Sequence, residues 1–214
     1  MASAKTAVRV SSLTLVPWTA NPSDWTTILG SANASDPKAV TIKMPAQKDL
    51  IFSVSLECGL YTRTLVKSKG GITDASLAMA SVRGRIVLDP GGNSRVADPG
   101  EITFGRRTQE LTAKLQGIIG NLACFPDGVF DPNATGCILD AEEIGLTLTT
   151  VNANAFFFAL SDVGSGTHNV IVQARIDMGT EVQAGEAEAR ALVGKGALIV
   201  DDVRLIKSGI IDLS

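Results

Sequence analysis

Apolar and polar side chains alternate with a period of two along much of this 214-residue chain, and no other feature limits the fold as strongly. In residues 50–58 (LIFSVSLEC) every even position is apolar or Cys, whereas positions 53, 55 and 57 carry Ser, Ser and Glu. The same alternation recurs in residues 78–88, 111–116, 144–149 and 169–176. It is typical of antiparallel strands that bury one face. The apolar faces predict a core that contains Phe52, Val54, Leu56, Val82, Ile86, Leu111, Leu146, Leu148, Phe157, Val170 and Val172.

Turn-forming residues divide the chain into about eleven candidate strands. The separators include Asp89-Pro90-Gly91-Gly92-Asn93 and Gly164-Ser165-Gly166, whose residue types favour turns. Strands spaced in this way predict an all-β fold, a two-sheet antiparallel β-sandwich with jelly-roll-like connectivity. No linker, low-complexity run or internal repeat is visible, so residues 1–214 are expected to form a single domain.

One segment, Glu181 to Val193 (EVQAGEAEARALV), is rich in Ala and Glu, which favour helices. Gly194 follows it, and a glycine commonly ends a helix. We therefore predict one short helix over residues 181–193, inserted before the last strand of the sandwich.

Charge and hydropathy exclude several classes of protein. The 22 acidic and 19 basic residues give a net charge of −3, whereas nucleic-acid-binding proteins normally carry a basic excess. No window approaches the roughly 18 unbroken apolar residues of a membrane-spanning helix. Residues 1–16 lack the apolar stretch of a secretory signal peptide. We therefore expect neither a nucleic-acid partner nor a membrane span.

The only histidine, His168, would have to serve any histidine-dependent catalytic site. It could act with Cys58 as a dyad, but Cys58 falls on an apolar face, which disfavours the reactive thiolate. The alternative is a structural histidine at the start of a strand, with both ring nitrogens hydrogen-bonded. Because the sequence also lacks a nucleophile elbow, a phosphate-binding loop, a dinucleotide-binding motif and a CxxC pair, we expect no enzymatic activity.

The other two cysteines, Cys124 and Cys137, bracket the segment CFPDGVFDPNATGC, whose Pro, Gly, Asp and Asn residues indicate a long loop. Closing such a loop with a disulfide would stabilise the protein by roughly 3 kcal/mol. We therefore predict a Cys124–Cys137 disulfide and a buried free thiol at Cys58, with two reduced thiols as the alternative. A disulfide indicates an oxidising compartment, so the expected location is extracellular or on a particle.

The same loop holds the densest group of potential oxygen ligands in the chain: Asp127, Asp131, Asn133 and Asp140. Hard cations such as calcium prefer several oxygen ligands at short range. The spacing does not match an EF-hand, however, and Asp and Asn are equally common in plain turns. We therefore expect no cofactor, with calcium bound by these four residues as the alternative.

Three aromatic residues, Trp18, Trp25 and Tyr61, could form a platform for sugar rings, as in carbohydrate-binding sandwiches. Aromatic residues make up only 5% of the chain, and Trp25 fits a strand pattern with the apolar residues after it. Core packing is therefore the preferred interpretation. The run at residues 156–158 (FFF) cannot alternate, so it predicts a strand that is covered on both faces.

The strand candidate near the N-terminus changes face partway along. Val8 and Val10 share one side, whereas Leu13 and Leu15 lie on the opposite side. A bulge at Ser11-Ser12 would explain the switch, because one extra residue turns every later side chain to the other face. Alternatively, the segment adds as a strand or arm onto a neighbouring subunit, which makes Val8, Val10, Leu13 and Leu15 the candidate assembly residues.

These observations favour a structural function over a catalytic one. Only 19% of the residues are charged, as expected where subunits pack on one another. We therefore predict a self-assembling β-sandwich subunit of an extracellular filament, sheath or phage-like particle, whose partners are copies of itself. The alternatives are a carbohydrate-binding or adhesive module, which exposed aromatics on one sheet face would favour, and an enzyme centred on His168 and the acidic loop.

Overall fold

A computed structural model of the chain describes the backbone of residues 6–11 and describes residues 24–204 in full. Helix is confined, within these residues, to two 3-10 turns, Leu122–Cys124 and Pro126–Gly128. No helix in the described part of the chain is long and apolar enough to cross a membrane. The strands are β1 (Thr6–Ser11), β2 (Thr26–Leu29), β3 (Val40–Met44), β4 (Lys48–Ser68), β5 (Ile72–Leu88), β6 (Arg95–Val96), β7 (Ile102–Leu115), β8 (Ile118–Ile119), β9 (Leu139–Asp140), β10 (Glu142–Val163), β11 (Gly166–Val182) and β12 (Gly185–Val203).

The long strands form two antiparallel sheets. Sheet A has the order β1-β12-β4-β10, and sheet B has the order β2-β11-β5-β6. In sheet B, β3 also pairs with β11, and β7 also pairs with β5. The sheets pack face to face around one apolar core, which confirms the predicted all-β sandwich. The predicted jelly-roll connectivity is not confirmed.

Alternating residues from both sheets supply the core, as the period of two predicts. Every second residue of β4 from Leu50 to Cys58 is buried, and buried residues of β5, β11 and β12 join the same cluster. Burying one large apolar side chain contributes roughly 1.5–3 kcal/mol, so this cluster holds the two sheets together. The predicted core residues that are buried are Phe52, Val54, Leu56, Val82, Ile86, Val170 and Val172.

One end of the sandwich, named the loop end, carries the segment 116–141, which connects β7 to β10. The β4–β5 turn lies beside this segment, because Gly70 N donates to Gln116 O at 2.8 Å. The β11–β12 turn lies at the same end, where Lys67 N donates to Ala184 O at 3.2 Å. The loop end therefore consists of segment 116–141 and these two turns.

The interior of the sandwich becomes polar towards the loop end. Thr62 and Thr64 of β4 are buried beside Gln109 of β7. The Gln109 side chain accepts a hydrogen bond from Thr62 Oγ1 and donates one to Thr64 Oγ1, both at 2.7 Å. Each buried polar atom needs such a partner to offset its lost hydration. Hydrogen bonds thus supplement apolar packing between the sheets in this region.

The predicted helix over residues 181–193 is wrong. The segment forms the end of β11, a turn at residues 183–184 and the first half of β12. Residues from Gly185 to Val193 pair with β4, and Gly185 has a φ of +127°, where a Cβ would overlap Leu65 O. Pairing with a central strand outweighs the helix propensities of Ala and Glu, which differ from those of other residues by less than about 1 kcal/mol each.

Three predicted core residues, Leu146, Leu148 and Phe157, are exposed, and Leu111 is only half-buried. The exposed three lie on β10, the edge strand of sheet A. The opposite sheet leaves Leu146 and Leu148 partly uncovered on the inner face. Phe157 pairs with Ser53 on the outer face and is 70% exposed. The prediction that this strand is covered on both faces is therefore wrong at Phe157.

Candidate functional site

His168 is held by two hydrogen bonds at the end of the sandwich opposite the loop end. Its Nδ1 lies 2.7 Å from Asp89 Oδ2, and its Nε2 lies 2.9 Å from Gly164 O. The other carboxylate oxygen of Asp89 accepts a hydrogen bond from Asn169 N at 2.8 Å. Asp89 follows β5 and His168 lies in β11, so these contacts tie the start of the β5–β6 turn to the neighbouring strand. This geometry agrees with the structural interpretation of His168.

Cys58 lies in the apolar core, where its environment suppresses the thiolate. Burial, and to a smaller extent the negative charge of Glu57, raise the pKa of the Cys58 thiol to about 12. Both ring nitrogens of His168 are bonded to other groups. The geometry therefore does not support the dyad considered from the sequence.

An open cavity of about 410 Å³ lies beside Asp89 and Asn169. The Asp89 carboxylate is bonded to His168 and to the backbone of Asn169, and the Asn169 amide donates to Ser31 O at 2.7 Å. The Asp89 carboxylate and the Asn169 NH₂ group are therefore engaged in holding the surrounding turns together, whereas Asn169 Oδ1 is buried without a hydrogen-bond partner among the described residues. The cavity is lined by Ala32, Ala34, Thr41, Asp89, Pro90, Gly91, Gly92, Asn93, Thr167 and Asn169, a set without an aromatic ring.

The two described residues of the aromatic platform considered from the sequence, Trp25 and Tyr61, do not come together. Trp25 is half-buried and lies under the guanidinium group of Arg85, which is 4.2 Å from the ring centroid. Tyr61 lies in sheet A, and Arg190 is 5.8 Å from its ring centroid. Trp18 lies outside the described residues. Trp25, which precedes β2 of sheet B, and Tyr61 of sheet A are therefore apart, each with an arginine over its ring.

The four candidate calcium ligands lie in the turns and the short β8–β9 ribbon of segment 116–141. Asp131 Oδ1 accepts a hydrogen bond from Asn133 N at 2.9 Å, which is an Asx turn. Asp127 occupies a 3-10 turn with a φ of +58°, and Asp140 pairs with Ile118 as part of β9. Within the part of the chain that the structure describes, no group of three or more His, Cys, Asp or Glu side chains is placed to hold a metal ion.

The predicted disulfide between Cys124 and Cys137 is confirmed, with 4.4 Å between the Cα atoms. Asn121 crosses the same loop, since its amide donates to Gly136 O at 2.9 Å and accepts from Ile138 N at 3.2 Å. At the base of the loop, β8 and β9 form a two-residue antiparallel ribbon. Segment 116–141 is therefore a stapled loop that stands outside the main core.

This stapled loop exposes an unusual amount of apolar surface. Leu122 is 87% exposed and Val129 is 70% exposed, while the rings of Phe125 and Phe130 pack on each other at 5.6 Å. At about 150 Å² for a fully exposed large side chain, the exposed apolar residues of the loop offer on the order of 600 Å². Patches of this size on a monomer commonly mark an interaction site. The residues concerned are Ile118, Ile119, Leu122, Phe125, Val129, Phe130 and Ile138.

The first half of β10 extends this apolar surface. Ile144, Leu146 and Leu148 are between 41% and 46% exposed. Each pairs with a buried residue of β4, so their side chains lie on the inner face of sheet A. Sheet B covers this margin only in part: Gln109 of β7 donates to Leu146 O at 2.7 Å, but the three apolar side chains stay exposed. The stapled loop and this margin of β10, which begins where the loop ends, together form the candidate interaction site.

The sequence reasoning missed this site. The Pro, Gly, Asp and Asn residues of segment 116–141 indicate a polar loop, but large apolar residues lie between them. Loops are usually polar because they face water. The combination of a disulfide with several large apolar side chains in one loop is therefore the sequence signal that indicates this interaction site.

The candidate assembly residues from the sequence fall partly outside the described chain. Val8 pairs with Ile199, and Val10 pairs with Ala197, in β12 of the same chain. Leu13 and Leu15 lie outside the described residues. Up to Ser11 the segment is thus the edge strand of its own sheet A, and an arm formed by later residues stays a prediction.

Comparisons with known proteins do not assign the chain to a family. No family model matches its sequence, and no curated protein sequence is significantly similar to it.

Proposed function

We propose that this protein is a non-enzymatic structural subunit that assembles with copies of itself. The observation that carries the proposal is the apolar surface of the stapled loop, together with the adjacent margin of β10. A disulfide and several hydrogen bonds hold large apolar side chains in water, which costs free energy unless another surface covers them. A subunit contact would recover that free energy.

The disulfide supports an extracellular or particle-associated location for the assembly. Structural disulfides persist in oxidising compartments and are rare where thiols are kept reduced. A filament, a sheath or a phage-like particle is an assembly of this kind. The low share of charged residues, 19%, supports a chain whose surface is partly covered by neighbouring subunits.

Substitutions in the stapled loop test the proposal. Replacing both Leu122 and Val129 with Ser removes two of its most exposed apolar side chains. We expect self-association to weaken by on the order of a hundredfold or more, since each buried side chain contributes roughly 1.5–3 kcal/mol. Light scattering coupled to size-exclusion chromatography, over a range of concentrations, measures the change.

The matched control is Val96→Ser, which replaces an exposed valine in β6, at the opposite end of the sandwich. We expect this variant to assemble like the unmodified chain. Equal assembly by the loop variant and the unmodified chain would overturn the role of the stapled loop.

A further inference from the structure

The long edge of β10 carries backbone groups that no other described strand pairs with. Ala159 exchanges two hydrogen bonds with Asp98 (2.8 and 2.9 Å) on the side of β10 that faces away from β4. The register between β10 and β4 is unbroken from Glu142 to Leu160. Neighbouring residues of a strand point their backbone groups in opposite directions. The odd positions from 143 to 151 therefore direct their N–H and C=O groups towards the open edge.

This edge lacks the features that usually prevent a strand from pairing with another chain. Residues 144–153 (IGLTLTTVNA) contain no charged residue and no proline. Natural edge strands are commonly protected by lysines, prolines, bulges or a covering segment. Within the described chain, the bridge between Asp98 and Ala159 covers β10 only beyond residue 153. Residues 143–151 thus remain available for β-strand addition.

The sequence of this edge complements itself. In an antiparallel pair centred on Leu146, Leu146 faces its own copy and Ile144 faces Leu148 of the other chain. Moving the centre by one residue in either direction places one of these apolar residues opposite a polar one. In the centred register Glu143 faces Thr149, so no two like charges stand opposite each other. In this register odd positions of one chain also lie opposite odd positions of the other. Their N–H and C=O groups, which point towards the open edge, can therefore form the hydrogen-bonded pairs of an antiparallel ladder.

We infer that residues 142–150 of β10 pair with the same residues of a second copy about a two-fold axis at Leu146. The inference rests on the proposed function and names the partner of its site. The contact joins the two four-stranded A sheets into one continuous sheet of eight strands. Ile144, Leu146 and Leu148 of both chains then cover each other on the inner face.

The available area agrees with a contact between two copies. The exposed apolar residues of the stapled loop and of the β10 margin together offer on the order of 800 Å², close to the contribution of each partner in a standard interface. In this register, residue 142 of the partner lies opposite residue 150. The partner's stapled loop, which ends at its residue 141, therefore lies beside β10 beyond Val151, towards the exposed ring of Phe157. The two-fold arrangement therefore brings both parts of the site into one contact.

Cysteine crosslinking tests the register. In the inferred pair the two Cα atoms at position 146 are opposite each other, within the range that a disulfide spans. We expect Leu146→Cys to form a covalent dimer under mild oxidation, seen on a non-reducing gel. The control is Thr150→Cys, on the same face of the same strand, whose two copies would stand roughly 27 Å apart. Equal crosslinking of both variants, or of neither in a protein that assembles, overturns the inference.

A proline scan of the edge provides a second test. Thr147→Pro removes an N–H group that points towards the open edge and leaves the hydrogen bonds to β4 in place. We expect this variant to lose the dimer and to keep the far-ultraviolet circular dichroism of the unmodified chain. Ala155→Pro, also at an odd position but beyond the paired segment, is expected to keep the dimer.

The two proposals fail in different ways. A Thr147→Pro variant that still dimerises overturns the pairing of β10, but assembly itself, and with it the proposed function, survives. An unmodified chain that stays monomeric at all concentrations overturns both.

Discussion

At the scale of single residues, the structure gives the one histidine a structural role. The sequence predicted a strand-start histidine with satisfied ring nitrogens, and His168 is bonded through both. Its partner Asp89 is 79 positions away along the chain. Residue patterns describe the neighbours along one strand, whereas this partner depends on how β5 and β11 are aligned in sheet B.

Substitution of Asp89 tests the structural role of this cluster. Asp89→Asn keeps a residue type that tolerates the φ of +51° but replaces one of the two carboxylate oxygens, which bond to His168 and to Asn169 N, with an NH₂ group that cannot accept a hydrogen bond. We expect the free energy of unfolding to fall by about 1–3 kcal/mol, because one of these two half-buried hydrogen bonds is lost. Urea denaturation measures the loss.

The matched control for this substitution is Glu110→Gln, which changes an exposed carboxylate on β7. Its unfolding free energy is expected to change by less than about 0.5 kcal/mol. If Asp89→Asn is as stable as this control, the cluster does not hold the β5–β6 turn in place.

At the scale of secondary structure elements, the period of two predicted the central strands correctly, and two predictions about other segments were wrong. In residues 185–193 (GEAEARALV) Ala alternates with Glu and Arg, which is a strand pattern. The helix propensities of Ala and Glu nevertheless led to the prediction of a helix. In residues 144–148 the alternation did predict the inner face, but not whether another sheet would cover it. Coverage depends on the strand order, which local patterns do not contain.

The stapled loop could be predicted as far as its covalent bond. The spacing of Cys124 and Cys137 and the turn residues between them indicated a disulfide, which the structure contains. Its role in an exposed apolar surface could not be derived in the same way. That role depends on Leu122, Val129 and their neighbours lying outside the core, which only the packing of the whole molecule determines.

Removing the disulfide should separate the stability of the sandwich from its assembly. In the double variant Cys124→Ser, Cys137→Ser we expect the unfolding free energy to fall by up to roughly 3 kcal/mol, since a loop of this length is no longer closed. The far-ultraviolet circular dichroism should stay that of the sandwich, because the loop stands outside the core. Assembly, measured by light scattering, should weaken because the apolar side chains lose their fixed arrangement.

Reductant provides the control for this prediction. It should weaken the assembly of the unmodified protein and leave the double variant unchanged, because Cys58 is buried and forms no disulfide within the described chain. Undiminished assembly of the double variant would contradict a role for the stapled loop.

At the scale of the whole molecule, the two parts of the site have different consequences for assembly. A two-fold contact through β10 uses the same surface on both partners and therefore closes at a dimer. Growth into a filament or a shell needs a further contact. The parts of the apolar loop that the dimer leaves exposed, and the edge strand β1 on the other margin of sheet A, are the surfaces on which such a contact can form.

The measurement that tests self-assembly most directly is the sedimentation velocity of the unmodified, oxidised protein over a dilution series. We predict a species at least twice the 22.3 kDa mass of the chain, which dissociates as the concentration falls. A single 22.3 kDa monomer at every concentration would contradict the proposed function.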